Sequence, residues 1–127
     1  MITRLRTSRE AKERLVNLNA LLRMSSYAII LRYAIIRSLQ DKKDIYSDIE
    51  SEVLNNGGFE ITRKTLYGDN EIVYKVLMNA QNLDDETFFP TLTNMHIERG
   101  LKIMERDYKL SGNKDKFFKN YIKKIEE

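Results

Sequence analysis

A chain of 127 residues, 42% of them apolar, is long enough for one buried core and too apolar for a disordered tail. It contains no cysteine, which excludes a disulfide frame, a thiolate nucleophile and a zinc knuckle, and fits a reducing, cytoplasmic setting. Net charge is only +3, yet eight cations (Arg4, Arg6, Arg9, Lys12, Arg14, Arg23, Arg32, Arg37) lie in residues 1–40 against Glu10 and Glu13, so the positive field belongs to the N-terminal third and suggests a polyanionic partner.

In "ITRLR", Ile2, Arg4 and Arg6 alternate with Thr3 and Leu5, which predicts a short strand with both guanidinium groups on one side. No apolar stretch follows before charges return, so no signal peptide is expected. "TSRE" then has the form of a capping box, with the Thr7 hydroxyl accepting from the Glu10 amide. Ala11, Leu15, Leu18 and Leu22 give a first helix with one apolar stripe. Ser25 and Ser26 cap a second helix that runs to about Leu39, and there Ile29, Ile30, Leu31, Tyr33, Ala34, Ile35, Ile36 and Leu39 leave almost no polar face. Such a helix must be covered on all sides, either by a second copy or by the rest of the chain. Its apolar run, "YAIILRYAII", is half the length of a membrane span and carries Arg32 at its middle, so no span is predicted.

Residues 41–58 are acidic and end in a turn, with a short helix expected around 48–54. "GFEITRKTLYG" alternates Phe59, Ile61 and Arg63 and reads as a short strand or an extended connector. Asp69 caps a helix in which Ile72, Val76 and Ala80, with Val73 and Leu77, form the inward stripe. "LDDE" starts another helix, and Pro90 sits in the first turn of the next one or kinks it. From there Phe89, Thr93, Ile97, Leu101, Met104 and Tyr108 follow one helical face to about residue 109. "SGN" breaks the chain, and the tail is a basic amphipathic helix with Phe117, Tyr121 and Ile125, or Phe118, Ile122 and Ile125, turned inward.

Catalytic chemistry is poorly supplied. His96 is the only histidine and has no cysteine or second histidine to share a metal, so it reads as a structural residue. Asp84, Asp85 and Glu86 read as partners of a helix dipole rather than as magnesium ligands. "NGGF" and "LYGD" lack the spacing and the lysine of a phosphate cradle. No catalytic residue, metal or cofactor is therefore assigned. A short strand followed by a capped helix and an oily second helix is instead the pattern of the ribbon-helix-helix unit, in which two chains pair their strands and bury their second helices together. The pairing covers an open strand edge, and such a ribbon fits the major groove of DNA. This reading places Arg4, Arg6 and Arg9 on backbone phosphates, with Arg63 and Lys64 as further candidates, and the helix-two amides at Ser25 and Ser26 near another phosphate. Ile29, Ile30, Tyr33 and Ile36 then form the subunit interface. The bland alternative is that the arginines only solubilise a dimerisation ribbon.

"RLRTS", "FEITRKTLYGD" and "HIERGL", in that order and in a chain of this length, resemble the DndE family over about residues 4–105. The resemblance implies a small subunit of the bacterial DNA phosphorothioation machinery, which replaces a non-bridging phosphate oxygen with sulfur and belongs among restriction–modification systems. It also implies a fold similar to the ribbon-helix-helix repressors and a homo-oligomer, a tetramer, that binds duplex DNA, nicked duplex included. The implied partners are a sulfurtransferase-like DndC and an ATPase-like DndD. A chain without cysteine cannot carry the sulfur as a persulfide, which leaves a non-enzymatic DNA-holding role. The expected fold is therefore mainly α: a single domain over 1–127, with a ribbon-helix-helix-like unit at 1–40, further helices in one compact oligomerising body, and a C-terminal extension at 110–127. A ribbon-helix-helix repressor or antitoxin, and a protein-only adaptor subunit, are the alternative functions.

Overall fold

The computed structural model describes residues 1–49 and 57–126. Strand β1 (Arg4–Ser8) leads into helices α1 (Arg9–Leu22), α2 (Tyr27–Gln40) and the single turn α3 (Ile45–Asp48). Strand β2 (Gly57–Thr62), α4 (Arg63–Tyr67) and α5 (Glu71–Leu77) follow; a wide irregular turn, Thr87–Leu92, then opens into α6 (Thr93–Ser111), and α7 (Lys114–Glu126) ends the chain. The helix expected around 48–54 lies almost wholly outside the described residues.

Helix α6 is the axis of the molecule, and every residue from Thr93 to Leu101 is buried. Its most extensive neighbour is α2, whose Ile30, Leu31, Ala34 and Ile35 are fully enclosed; α1 covers another side through Leu15 and Leu18. The rest of the chain therefore covers most of α2, so its oiliness does not require a second copy. Ile30, assigned above to a subunit interface, is sealed inside the chain's own core. Tyr33 and Ile36 remain exposed and Ile29 is half-buried.

The α2–α6 crossing is unusually close. A Cβ on Gly100 would stand 1.8 Å from the Ala34 carbonyl oxygen, so only glycine allows the two backbones to meet. The two charged residues before Gly100 in "HIERGL" each hold an adjacent joint. Glu98 accepts from the Ser8 hydroxyl (2.7 Å) and faces Arg14 at 3.7 Å. Arg99 donates to Ser38 Oγ (2.8 Å) and to the carbonyls of Ser38 and Lys43 (2.8 and 2.7 Å).

Because Ser38 Oγ accepts from Arg99, its own hydrogen is free for His96 Nδ1 at 2.8 Å, which keeps the imidazole neutral with its proton on Nε2. Burial first, and the Arg99 charge second, push the His96 pKa down to about 4. The unfolded chain, with its histidine near 6.5, binds more protons between these values, so stability is complete above pH 6.5 and falls as the pH drops towards 4. The expected loss is about 3 kcal/mol, read as urea midpoints at pH 7.5, 5.5 and 4.5. His96→Asn, whose amide oxygen stands near the Nδ1 position, removes that slope.

The strand pairing expected between two chains is made inside one. β1 and β2 run antiparallel, with Arg4 opposite Thr62, Leu5 opposite Ile61 and Arg6 opposite Glu60. The register slips between Arg6 and Ser8. There the Thr7 hydroxyl accepts from the Phe59 amide (2.9 Å) and donates to the Ser8 carbonyl (3.0 Å). A Cβ on Gly58 would fall 2.1 Å from the Ser8 carbonyl oxygen, which explains the glycine opposite this bulge. The N-cap of α1 is Ser8, accepting from Ala11, one residue later than the Thr7–Glu10 box; Thr7 is occupied by the bulge. Ser26 caps α2 as expected.

Two further expectations fail. Helix α5 begins after Asn70 rather than Asp69 and buries Tyr74, whereas the stripe Ile72, Val73, Val76 and Leu77 faces outward. Tyr74 joins a ring cluster with Tyr67 (4.8 Å), and Tyr67 stacks on Phe88 (5.4 Å), so aromatic packing sets which side of α5 turns in. Pro90 follows the non-helical Phe89 at the kink that leads into α6, the second of the two places expected for it. Beyond Gly112, which ends α6 in the left-handed conformation, α7 docks Phe117 and Tyr121 on α6, and Tyr121 donates to Asp107 Oδ2 at 3.1 Å. Ile122 and Ile125 lie outside the described side chains.

Candidate nucleic-acid interface

The eight N-terminal cations divide by what they touch. Three are structural: Arg14 faces Glu98 and Glu105, Arg32 donates to the carbonyls of Thr65 and Leu66, and Arg37 pairs with Asp107 at 3.0 Å. The other five, Arg4, Arg6, Arg9, Lys12 and Arg23, are exposed. Arg23 stands apart, closing α1 in a left-handed conformation.

Alternation along β1 buries Leu5 and turns Arg4 and Arg6 outward, as predicted, with side-chain exposures of 68% and 55%. The cross-strand partner changes their charge balance. Glu60 projects from the same ribbon face and places one carboxylate oxygen 3.7 Å from Arg4 Nη1 and the other 3.6 Å from Arg6 Nη2. These distances are too long for strong hydrogen bonds, so the carboxylate is a loose, solvent-screened counter-ion. Two shallow depressions mark the two ends of the ribbon. One, of about 470 Å³, is lined by Arg4, Thr62, Lys64 and Glu71 among others; the other, of about 480 Å³, by Arg9, Lys12, Glu13 and Gly57. Arg4 and Arg6 thus lie on the strand itself, with Lys64 beside Arg4 at one end of the ribbon and Arg9 and Lys12 at the other. Cations spread over two open depressions suit a polymer of phosphates rather than one small anion.

Arg63 does not belong to this set. It is buried, and its guanidinium forks onto Asp85 (2.8 and 2.6 Å), donates through Nε to Glu71, and stands 5.1 Å above the Phe89 ring. The paired carboxylates hold its pKa above the ordinary arginine value, and the guanidinium holds Asp85 below the usual carboxylate range. Arg63 is a clamp between α4, α5 and the segment before Phe88, while its neighbour Lys64 remains exposed. Asp85 is committed to this clamp, and no group of three or more potential ligands among the described residues is arranged to hold a metal. The Ser26 hydroxyl is taken by the Ile29 amide at 3.4 Å. The residues missed in the sequence are Lys12, three positions after Arg9 on the exposed side of α1, and Glu60, whose outward place in "FEIT" marks its face but not the arginines opposite.

A family model described as DNA sulphur modification protein DndE matches residues 4–112. A search of curated proteins found no match. Among solved structures, the crystal structure of DndE from Escherichia coli B7A, described as involved in DNA phosphorothioation modification, is similar at a TM-score of 0.65 and 18% identity, covering 82% of this chain and 97% of that one. Helix α7 lies beyond the family match. Among the described residues no helix is long and apolar enough to cross a membrane. The family match spans most of the chain and includes all three of the motifs "RLRTS", "FEITRKTLYGD" and "HIERGL"; the chain belongs to the DndE family of DNA sulfur-modification proteins.

Proposed function

We propose that this chain is a non-catalytic accessory subunit of a cytoplasmic DNA phosphorothioation system that holds duplex DNA, intact or nicked, along its β1–β2 ribbon. The observation that carries the reading is the set Lys64, Arg4, Arg6, Arg9 and Lys12, whose charges serve no buried joint. Arg4, Arg6 and Arg9 contact backbone phosphates, joined by Lys12 and Lys64. The absence of cysteine and the burial of His96 support a binding role over a chemical one. The protein works as a homo-oligomer, a tetramer, using the part of α2 that stays exposed at Tyr33 and Ile36, with the half-buried Ile29 beside them, and works beside DndC-like and DndD-like subunits. β1 spends one edge on β2 within the chain, and its Arg6 carbonyl accepts from Asn94 (2.8 Å), which favours this reading over a repressor or antitoxin.

Fluorescence anisotropy of intact and nicked duplexes across a salt series tests it. Each phosphate contact contributes a log–log slope of about −0.9. Replacing Arg4 and Arg6 by alanine flattens the slope by about 1 to 2, and so does the Arg9→Ala, Lys12→Ala pair; an unchanged slope in both removes the ribbon from the site. Glu60→Gln has the opposite sign. Freeing both arginines from a shared carboxylate tightens binding about threefold to tenfold at low salt, and the gain fades as salt rises.

A further inference from the structure

Helix α5 carries apolar surface that no described part of the chain covers. Ile72, Val73, Val76 and Leu77 are 74%, 55%, 49% and 52% exposed, and Leu83 just beyond the helix is 43% exposed. Isolated exposed aliphatics are ordinary, but four on one helix of seven residues form a contiguous patch of the kind that marks an interaction site. The helix cannot roll to hide them. Its other side is pinned by Tyr74 against Tyr67, and by Lys75, which lies 3.8 Å from Glu71 and 5.2 Å from the centre of the Phe88 ring.

The surroundings select the occupant. Asp69 precedes the helix and Asp84 and Glu86 follow Leu83; all three are exposed, and none is ion-paired with a described residue. These carboxylates repel a phosphate backbone and favour a cationic partner. Four such side chains expose on the order of 400 Å², about half of the ~800 Å² that each partner buries in a stable protein–protein interface. That area matches one face of a single helix better than a second globular copy.

We infer that α5 and its acidic flanks are a docking surface for a partner protein that presents a cationic amphipathic helix. The aliphatic stripe of that helix packs on Ile72, Val73, Val76 and Leu77, and its lysines or arginines meet Asp69, Asp84 and Glu86. This inference stands apart from the DNA reading and survives or fails without it.

The test uses the full chain with labelled methyl groups and two synthetic helices about five turns long, one built of leucine and lysine, the other of leucine and glutamate. The leucine–lysine helix is expected to shift the methyl resonances of Ile72, Val73, Val76 and Leu77 and leave those of Leu15 and Ile97 in place. Ile72→Asp with Val76→Asp weakens its binding at least about tenfold while far-UV circular dichroism stays unchanged, and the leucine–glutamate helix binds at least about tenfold more weakly than its lysine counterpart. Equal binding of the two helices, or an absence of shifts on α5, overturns the inference. So does concentration-dependent self-association that the same double substitution abolishes, because the surface then belongs to a second copy.

Discussion

Gly100→Ala is expected to leave little folded protein. The added methyl falls 1.8 Å from the Ala34 carbonyl oxygen, 2.3 Å from its carbon and 2.7 Å from its Cα, all backbone atoms of a packed helix that cannot swing aside. Relief requires α2 and α6 to separate, and that opens the core around Ile30, Leu31, Ile97 and Leu101. A loss of about 4 kcal/mol or more follows, a large share of the 5–15 kcal/mol that holds a typical domain together. Thermal and urea unfolding by circular dichroism measure it, with Gly112→Ala as the control. A Cβ at Gly112 meets nothing, but φ is +85°, so that change costs only about 1 kcal/mol. Equal effects at the two positions would falsify the close-crossing account.

Arg63→Ala is the second large loss. It takes from Glu71 and Asp85 the guanidinium that both of them bind, and it strips the cation from the faces of Phe88 and Phe89. Removing one member of such a partly buried network costs about 3 kcal/mol. Arg63→Lys recovers only part, because one ammonium cannot reproduce the planar fork on Asp85. The pH dependence carries the matching sign. Asp85 is held below its ordinary value, so its contribution is complete above about pH 4 and is lost as the pH falls further; in Arg63→Ala that acid-linked loss disappears. Duplex affinity of the folded variant should stay near that of the parent, in contrast to Arg9→Ala with Lys12→Ala.

The elements set by local physics were legible in the chain. The stripe Ala11, Leu15, Leu18 and Leu22, the serine cap before α2 and the face from Phe89 to Tyr108 all lie where periodicity places them. Choices made by distant partners were not legible. Periodicity detects a stripe on α5 but does not say which side faces the core, and the rings of Tyr67 and Phe88 decide that. Charge in a sequence does not distinguish a clamp from a contact, so Arg63 and Lys64 look alike as neighbours although one is buried and the other exposed. The N-cap moved by one residue because the bulge engages the Thr7 hydroxyl, and bulge and cap cannot share it.

The bond from the Phe59 amide to Thr7 joins positions 52 residues apart. The backbone bonds of α1 and α2 form between near neighbours, whereas the ribbon must close a long loop against its entropy and therefore comes together after those helices form. A newly made or half-unfolded molecule thus displays its arginines on a loose tether, without the spacing that a duplex backbone demands. On the proposed reading, completion of folding itself licenses the hold on duplex.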